Sequence, residues 1–172
     1  ADADIGIRYG LGDYPGFHVE HLMHESVTPV CAPSLMHGQP PLRQLEDLAH
    51  HTLLHDENQS FGNAAPTWDF WARNCGLTLP MPQRSRRFGQ SNMVVQAAVQ
   101  GLGVALGRKP LVIDALRDGR LVRPFPEITK SPLSYWLVHR HELADSAKVR
   151  NFIAWIKSEV TAEPDLPEAV QV

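Results

Sequence analysis

Residues Ser91–Gly107, SNMVVQAAVQGLGVALG, join a polar start, an apolar helical run, a glycine turn and a short strand. Ser91 reads as an N-cap, because its hydroxyl can accept a bond from an amide one turn on. Met93, Val94, Ala97 and Ala98 follow at helical spacing, and Gly101 stands where a helix ends in a left-handed turn. Val104, Ala105 and Leu106 then run without a polar break, as a strand covered on both faces does. A capped helix feeding a buried strand is half of an α/β layer. The amides exposed at such a helix start also offer a seat to an anionic ligand.

The alternation extends in both directions. Asp4–Tyr9 places Ile5 and Ile7 on one face and ends in a glycine loop, GLGDYPG. Phe17–Met23 alternates again, and Val27–Ala32 (VTPVCA) is an apolar strand closed by Pro33. Leu42, Leu45 and Leu48 mark a short helix, and Thr52–His55 a brief buried strand. DENQSFGNAAP reads as a polar loop, followed by a helix opened by Trp68, Phe70 and Trp71 and stopped at Gly76. Gln83–Phe88 is a strand, Pro110–Leu116 a helix, and Leu121–Arg123 and Leu133–Val138 are strands. Val149, Phe152, Ile153 and Ile156 form the apolar stripe of a final helix capped by Asp145 or Ser146. The last stretch, TAEPDLPEAVQV, has no period and little apolar mass, which predicts a loose tail over 161–172.

Strands alternating with helices predict α/β layers with largely parallel sheet. Long connections around Glu25–Thr28 and Pro126–Pro132 bracket a middle segment. The expected division is therefore one lobe from residues 1–26 and 127–160, and a second from 27–126. At 172 residues and 43% apolar content, the chain can bury one good core or two small ones. A formal net charge of −3 gives it no global attraction for nucleic acid. No apolar stretch is long enough to span a bilayer, and the N-terminus lacks a signal-peptide pattern. Cys31 and Cys75 make no disulfide framework, which favours a reducing, cytoplasmic compartment and leaves one bridge between them open. The sequence has no initiator Met and opens almost at once on a strand, the pattern of a piece of a longer protein.

In chain order, DIGIRYG, VTPVCAPSL, LLHD, SNMVVQAAVQGLGVALG, LRDGRLVRPF, SYWLV and KVRNFIAWI resemble the effector-binding domain of LysR-type transcriptional regulators. Similarity is greatest to the branch of the glycine-cleavage and β-lactamase activators, and covers about residues 2–160. The resemblance implies a two-lobed α/β fold like that of periplasmic binding proteins, with two strands crossing between the lobes. It also implies that the first lobe is incomplete at its N-terminus here, lacking two strand–helix units and one side of the ligand site. A small effector would bind between the lobes, and the family assembles as homodimers or tetramers. DNA would be read only by an N-terminal winged helix-turn-helix that these residues do not include. Gln90 departs from the pattern, since this branch often carries Asp there.

The candidate effector residues are Arg8, Tyr9, Gly10, Ser91, Asn92 and Tyr135. Ser91 and Asn92 can offer side-chain donors and helix amides to a carboxylate, or Ser91 can simply cap its helix. Arg8, Tyr9 and Gly10 end a strand, where open α/β sheets bind ligands, although Arg8 can equally pair with an acid. Tyr135 enters through the resemblance, beside its bland role as a core tyrosine with a bonded hydroxyl. Nine histidines raise the question of a metal. On the strand expected there, however, His21 opposes His18 and His24, and no zinc spacing is completed. No metal site or cofactor is expected. Nor is catalysis: there is no Gly-x-Ser-x-Gly elbow, and Cys31 lies in a run that reads as buried. Arg84, Arg86 and Arg87 read as a solvated edge strand. Solute-binding proteins of transporters share this fold physics and form the competing expectation.

Overall fold

A computed structural model describes residues 3–57 and 64–170. The central part of the expected DENQSFGNAAP loop lies outside the described residues. Among the described residues there are six strands, β1 (Ile5–Gly10), β2 (His18–Val30), β3 (Thr52–Asp56), β4 (Arg84–Phe88), β5 (Val104–Arg108) and β6 (Thr129–His139), and from β2 onward they alternate with five helices. The helices are α1 (Ser34–His37), α2 (Trp68–Cys75), α3 (Ser91–Val99), α4 (Lys109–Arg117) and α5 (Ala147–Ala162). The chain separates into two compact units, residues 1–25 with 131–165 and residues 26–130 with 166–172.

The second unit carries strands in the order β2-β5-β3-β4. Period-2 geometry sorts their side chains onto two faces. Leu53 and Val104 join Val27, Cys31, Met36, Leu48, Trp68, Trp71 and Phe125 in one buried cluster. Their neighbours Leu54 and Ala105 join Val30, Val94, Ala97, Ala98, Val112 and Leu116 in another. This double coverage is why VALG reads as an unbroken apolar run. Thr67 caps α2 by accepting from the Phe70 amide at 3.2 Å. The indole N–H groups of Trp68 and Trp71 donate to the carbonyls of Leu54 and Glu127 at 3.0 and 3.4 Å. Gly101 takes φ +73 where α3 ends, and a Cβ at Gly103 would lie 2.4 Å from the Thr52 carbonyl oxygen. The first needs glycine for its left-handed turn, the second for close backbone approach. β4 is the outer strand of this order, and Arg84, Arg86 and Arg87 along it are exposed. Arg87 pairs with Glu57 at 2.6 Å.

In the first unit the order is β1-β6-β2. β1 runs antiparallel to β6, with Ile5 opposite His139 and Tyr9 opposite Tyr135. Buried apolar side chains are sparse here among the described residues: Leu133, Leu137, Val138 and Val149. Polar and ring contacts supplement them. Lys148 reaches Asp4 at 2.6 Å, Lys157 pairs with Glu20, and the His18 and His139 rings stack at 4.7 Å.

Several expectations change. The sheet is mixed rather than largely parallel: β3 pairs in parallel with β4 and β5, while β2 pairs antiparallel with β5 and β1 with β6. The supposed connections at Glu25–Thr28 and Pro126–Pro132 lie largely within β2 and β6, which run unbroken past both unit boundaries. Pro29, Pro132 and the polar residues nearby conceal this, because proline argues against strand in any local reading. Leu121–Arg123 is not a full strand but a single bridge between Val122 and Cys31. The tail is not loose over 166–170. Leu166 packs against the second apolar cluster, and the Val170 amide donates to the Arg123 carbonyl at 2.9 Å.

Candidate functional site

The six sequence-derived residues fall into two groups, one in each unit. In the second unit the helix begins one residue earlier than the cap reading requires. Gln90 is the N-cap without a side-chain bond, and Ser91 is the first helical residue. Its hydroxyl therefore does not cap. It donates instead to the Asp56 carboxylate at the end of β3, and accepts from Arg108 Nη1 at 3.1 Å. β3 and β5 both end beside the start of α3, so a carboxylate, a hydroxyl and a guanidinium converge at one helix N-terminus. Asn92, one residue on, is exposed. The arrangement suits an oxyanion, because a cation, a hydroxyl and helix amides all favour negative charge there. Asp56 now supplies that charge.

In the first unit, β1 alternation sends Arg8 and Tyr9 to opposite faces. Tyr9 meets Tyr135 across the β1–β6 register, with ring centroids 4.9 Å apart. Both hydroxyls donate to Glu25, that of Tyr135 at 3.4 Å, and the Glu25 side chain is fully buried. A carboxylate removed from water needs such donors, since its desolvation is otherwise prohibitive. Gly10 is buried, and its carbonyl accepts from the Trp136 indole at 2.9 Å. Arg8 is exposed and lines a cavity of about 460 Å³ with Asp13, Phe17 and Arg140, away from the tyrosine pair. No ion pair forms on it among the described residues. Arg8 thus does not share a site with Tyr9 and Tyr135.

Sequence reading missed Glu25, Asp56 and Arg108. Glu25 offered one signal, a lone acid beside an otherwise apolar run; the other two acquire partners only through tertiary contacts. The histidines are scattered as pairs. His21 and His24 lie with ring centroids 4.3 Å apart, so their i, i+3 spacing does not separate them as strict alternation would. Burial first, then the neighbouring His24, holds the His21 imidazole below its ordinary pKa. Among the described residues no group of three His, Cys, Asp or Glu side chains is placed to hold a metal. Cys31 is buried, which pushes its thiol up to about 12. At that value it is not a nucleophile near neutrality. No helix among the described residues is long and apolar enough to cross a membrane.

The family model of the LysR substrate binding domain matches residues 1–161. This chain belongs to that family. It is similar to the glycine cleavage system transcriptional activator of Escherichia coli strain K12, at 38% identity over 95% of this chain and 52% of the relative. It is also similar to the HTH-type transcriptional regulator DsdC of the same organism, at 32% identity over 92% of this chain and 51% of the relative. The chain thus spans about half the length of the curated relatives it matches. The solved effector domain of the transcriptional regulator AmpR of Pseudomonas aeruginosa superposes with a TM-score of 0.71 at 28% identity, over 92% of this chain and 72% of that one. These LysR-family relatives are transcription regulators and not solute-binding proteins of transporters. The mixed α/β fold is that of LysR effector-binding domains.

Proposed function

We propose that this chain is the effector-sensing and oligomerising part of a cytoplasmic transcription regulator. It acts by binding rather than by chemistry, and takes a small carboxylate-bearing molecule. The observation that carries this reading is the cluster of Ser91, Arg108 and Asp56 at the start of α3 in a chain of the LysR family. An effector carboxylate would take over the Arg108 and Ser91 contacts that Asp56 now holds, with Asn92 and the first amides of α3 completing its shell. Tyr9, Tyr135 and Glu25 form the candidate contact group of the first unit. A ligand biases the protein only as far as it prefers one conformation over another. The response would pass to DNA-reading domains elsewhere in the full protein through homodimer or tetramer contacts. Helices α5 and α4, with Trp155 and Leu111 exposed, are candidate faces, and a two-fold pair would use the same patch on both subunits.

The test is a thermal-shift screen of the full-length protein against amino acids and cell-wall muropeptides. A carboxylate-bearing compound is expected to raise Tm. Ser91→Ala should weaken its binding about tenfold, in keeping with loss of a hydrogen bond to a charged group. If Ser91→Ala lowers the ligand-free Tm but leaves ligand affinity unchanged, Ser91 serves only the Asp56–Arg108 contact.

A further inference from the structure

Residues 13–17 take no part in either candidate group, yet they line the cavity of about 460 Å³ within the first unit. The stretch YPGF, residues 14–17, folds as a tight turn. Pro15 holds its second position, Gly16 takes φ +82 at the third, and the Phe17 amide donates to the Tyr14 carbonyl at 3.3 Å. Gly12, at φ +90, lets the backbone lie against the Trp136 indole, where a Cβ would come within 2.5 Å of the ring. Turn and contact together hold the loop in place, and Tyr14 and half-exposed Phe17 face the cavity from it.

The strands supply the rest. Gly6 and Arg8 share one face of β1, and Val138 stands opposite Gly6 in the β1–β6 register. Gly6 contributes no side chain, which leaves the cavity open at that point. Two guanidiniums line the same space, Arg8 from β1 and Arg140 from the residue after β6. Among the described residues neither guanidinium has an ion-pair or hydrogen-bond partner. Asp4 lies within electrostatic reach of Arg140, but its carboxylate is bonded to Lys148 at 2.6 Å. Asp13 is the single carboxylate among the described lining residues, so positive charge outnumbers negative. His139 is already engaged, its Nδ1 donating to the Arg140 carbonyl at 2.8 Å and its ring stacked on His18.

This combination selects a chemistry. A guanidinium is weakly hydrated and takes a carboxylate through a two-pronged fork. Aromatic and aliphatic walls beside it accept a flat apolar body. The volume falls within the usual range of small-molecule pockets, roughly 300–1,000 Å³. We propose that this cavity is a second ligand site, separate from the Ser91 cluster, and that it takes an aromatic carboxylate. The ring lies against Phe17, Tyr14 and Val138, and Arg8 and Arg140 hold the carboxylate.

Isothermal titration of the full-length protein with cinnamate tests this, with cinnamamide as the uncharged analogue and acetate as the carboxylate without a ring. Cinnamate is expected to bind at least tenfold more tightly than either. Arg8→Gln and Arg140→Gln should each weaken cinnamate at least fivefold. Gly6→Val fills the cavity from a site where a Cβ meets nothing closer than 3.9 Å, and valine suits a strand. It is expected to abolish saturable cinnamate binding without lowering Tm. Should that variant fail to fold, Gly6→Ala intrudes less and is expected to weaken cinnamate at least threefold. Absence of binding, equal affinity for cinnamate and cinnamamide, or indifference to both arginine changes would overturn the proposal. So would cinnamate binding that responds to Ser91→Ala and not to Arg8→Gln, because the probe would then sit at the start of α3.

Discussion

The two units are built unequally. The second encloses its strands between two apolar clusters that include Trp68, Trp71 and several leucines at or near zero exposure. The first relies on four well-buried apolar side chains, stacked histidines and ion pairs, and leaves Ile7, Phe17 and Trp155 roughly half exposed. Apolar burial contributes about 25 cal/mol per Å², whereas exposed ion pairs contribute little. The difference teaches where rigidity resides. The second unit is a platform that holds Ser91, Asp56 and Arg108 in register, and the first is the part whose local opening costs less.

The strongest challenge to this contrast is a pair of core truncations. Trp71→Ala should cost about 3–5 kcal/mol, and Leu137→Ala in the first unit about 2 kcal/mol, near the low end for aliphatic truncations. Urea unfolding gives the totals, and hydrogen exchange resolved by residue shows which unit opens. Leu137→Ala is expected to release protection in the first unit while the amides of β3 and β5 remain slow. Loss of protection throughout would mean that the two units share one cooperative fate.

A smaller effect comes from pH, with one sensor on each side. Burial first, then Arg87, lowers the His55 imidazole from its ordinary value of 6.5, and burial first, then His24, lowers His21. In both cases the unfolded chain takes up the proton at a higher pH than the folded one. Stability is therefore fully present above the unfolded value and declines as pH falls through it toward the folded values. Opening equilibria from hydrogen exchange, corrected for the intrinsic exchange rate at each pH, should rise in both units on going from about pH 7.5 to about pH 5.5. His55→Asn should flatten that rise in the second unit alone, and His21→Asn in the first alone. A flattening that appears in the opposite unit would break the separation.

The smallest expected effect is chemical and carries almost no stability change. Burial raises the Cys31 thiol to about 12, and Cys75 is raised too, by lesser burial and then by Glu127. Iodoacetamide should modify half-exposed Cys75 slowly and leave Cys31 untouched in the folded chain, as peptide mass mapping would show. Labelling of Cys31 at a matching rate would mean that the core of the platform opens as readily as its surface.

Local signals made the α3–β5 pair legible from sequence. Gly101 stops the helix, and the adjacent Val104 and Ala105 reveal a strand buried on both sides. The same signals misplaced its cap by one residue, because a serine hydroxyl committed to Asp56 cannot be told from a capping one until β3 is in position. The continuity of β2 was hidden for a different reason: Glu25, Ser26 and Pro29 each argue locally against strand, and only the Tyr9 and Tyr135 hydroxyls explain a buried acid there. The docked tail was invisible because its anchor, Arg123, lies far from it in sequence and nothing nearby repeats. Likewise Arg8 and Tyr9 are neighbours in the chain, but the pleat of β1 divides them between different surroundings.

The row of arginines on β4 has a consequence for life in a crowded solution. An outermost strand presents unpaired amides and carbonyls that invite any extended peptide to add itself. Arg84 and Arg86 set like charges along that rim, so a second molecule approaching edge to edge meets repulsion before it finds a hydrogen bond. The platform thus keeps its β-rich core while discouraging the aggregation that such a core would otherwise seed.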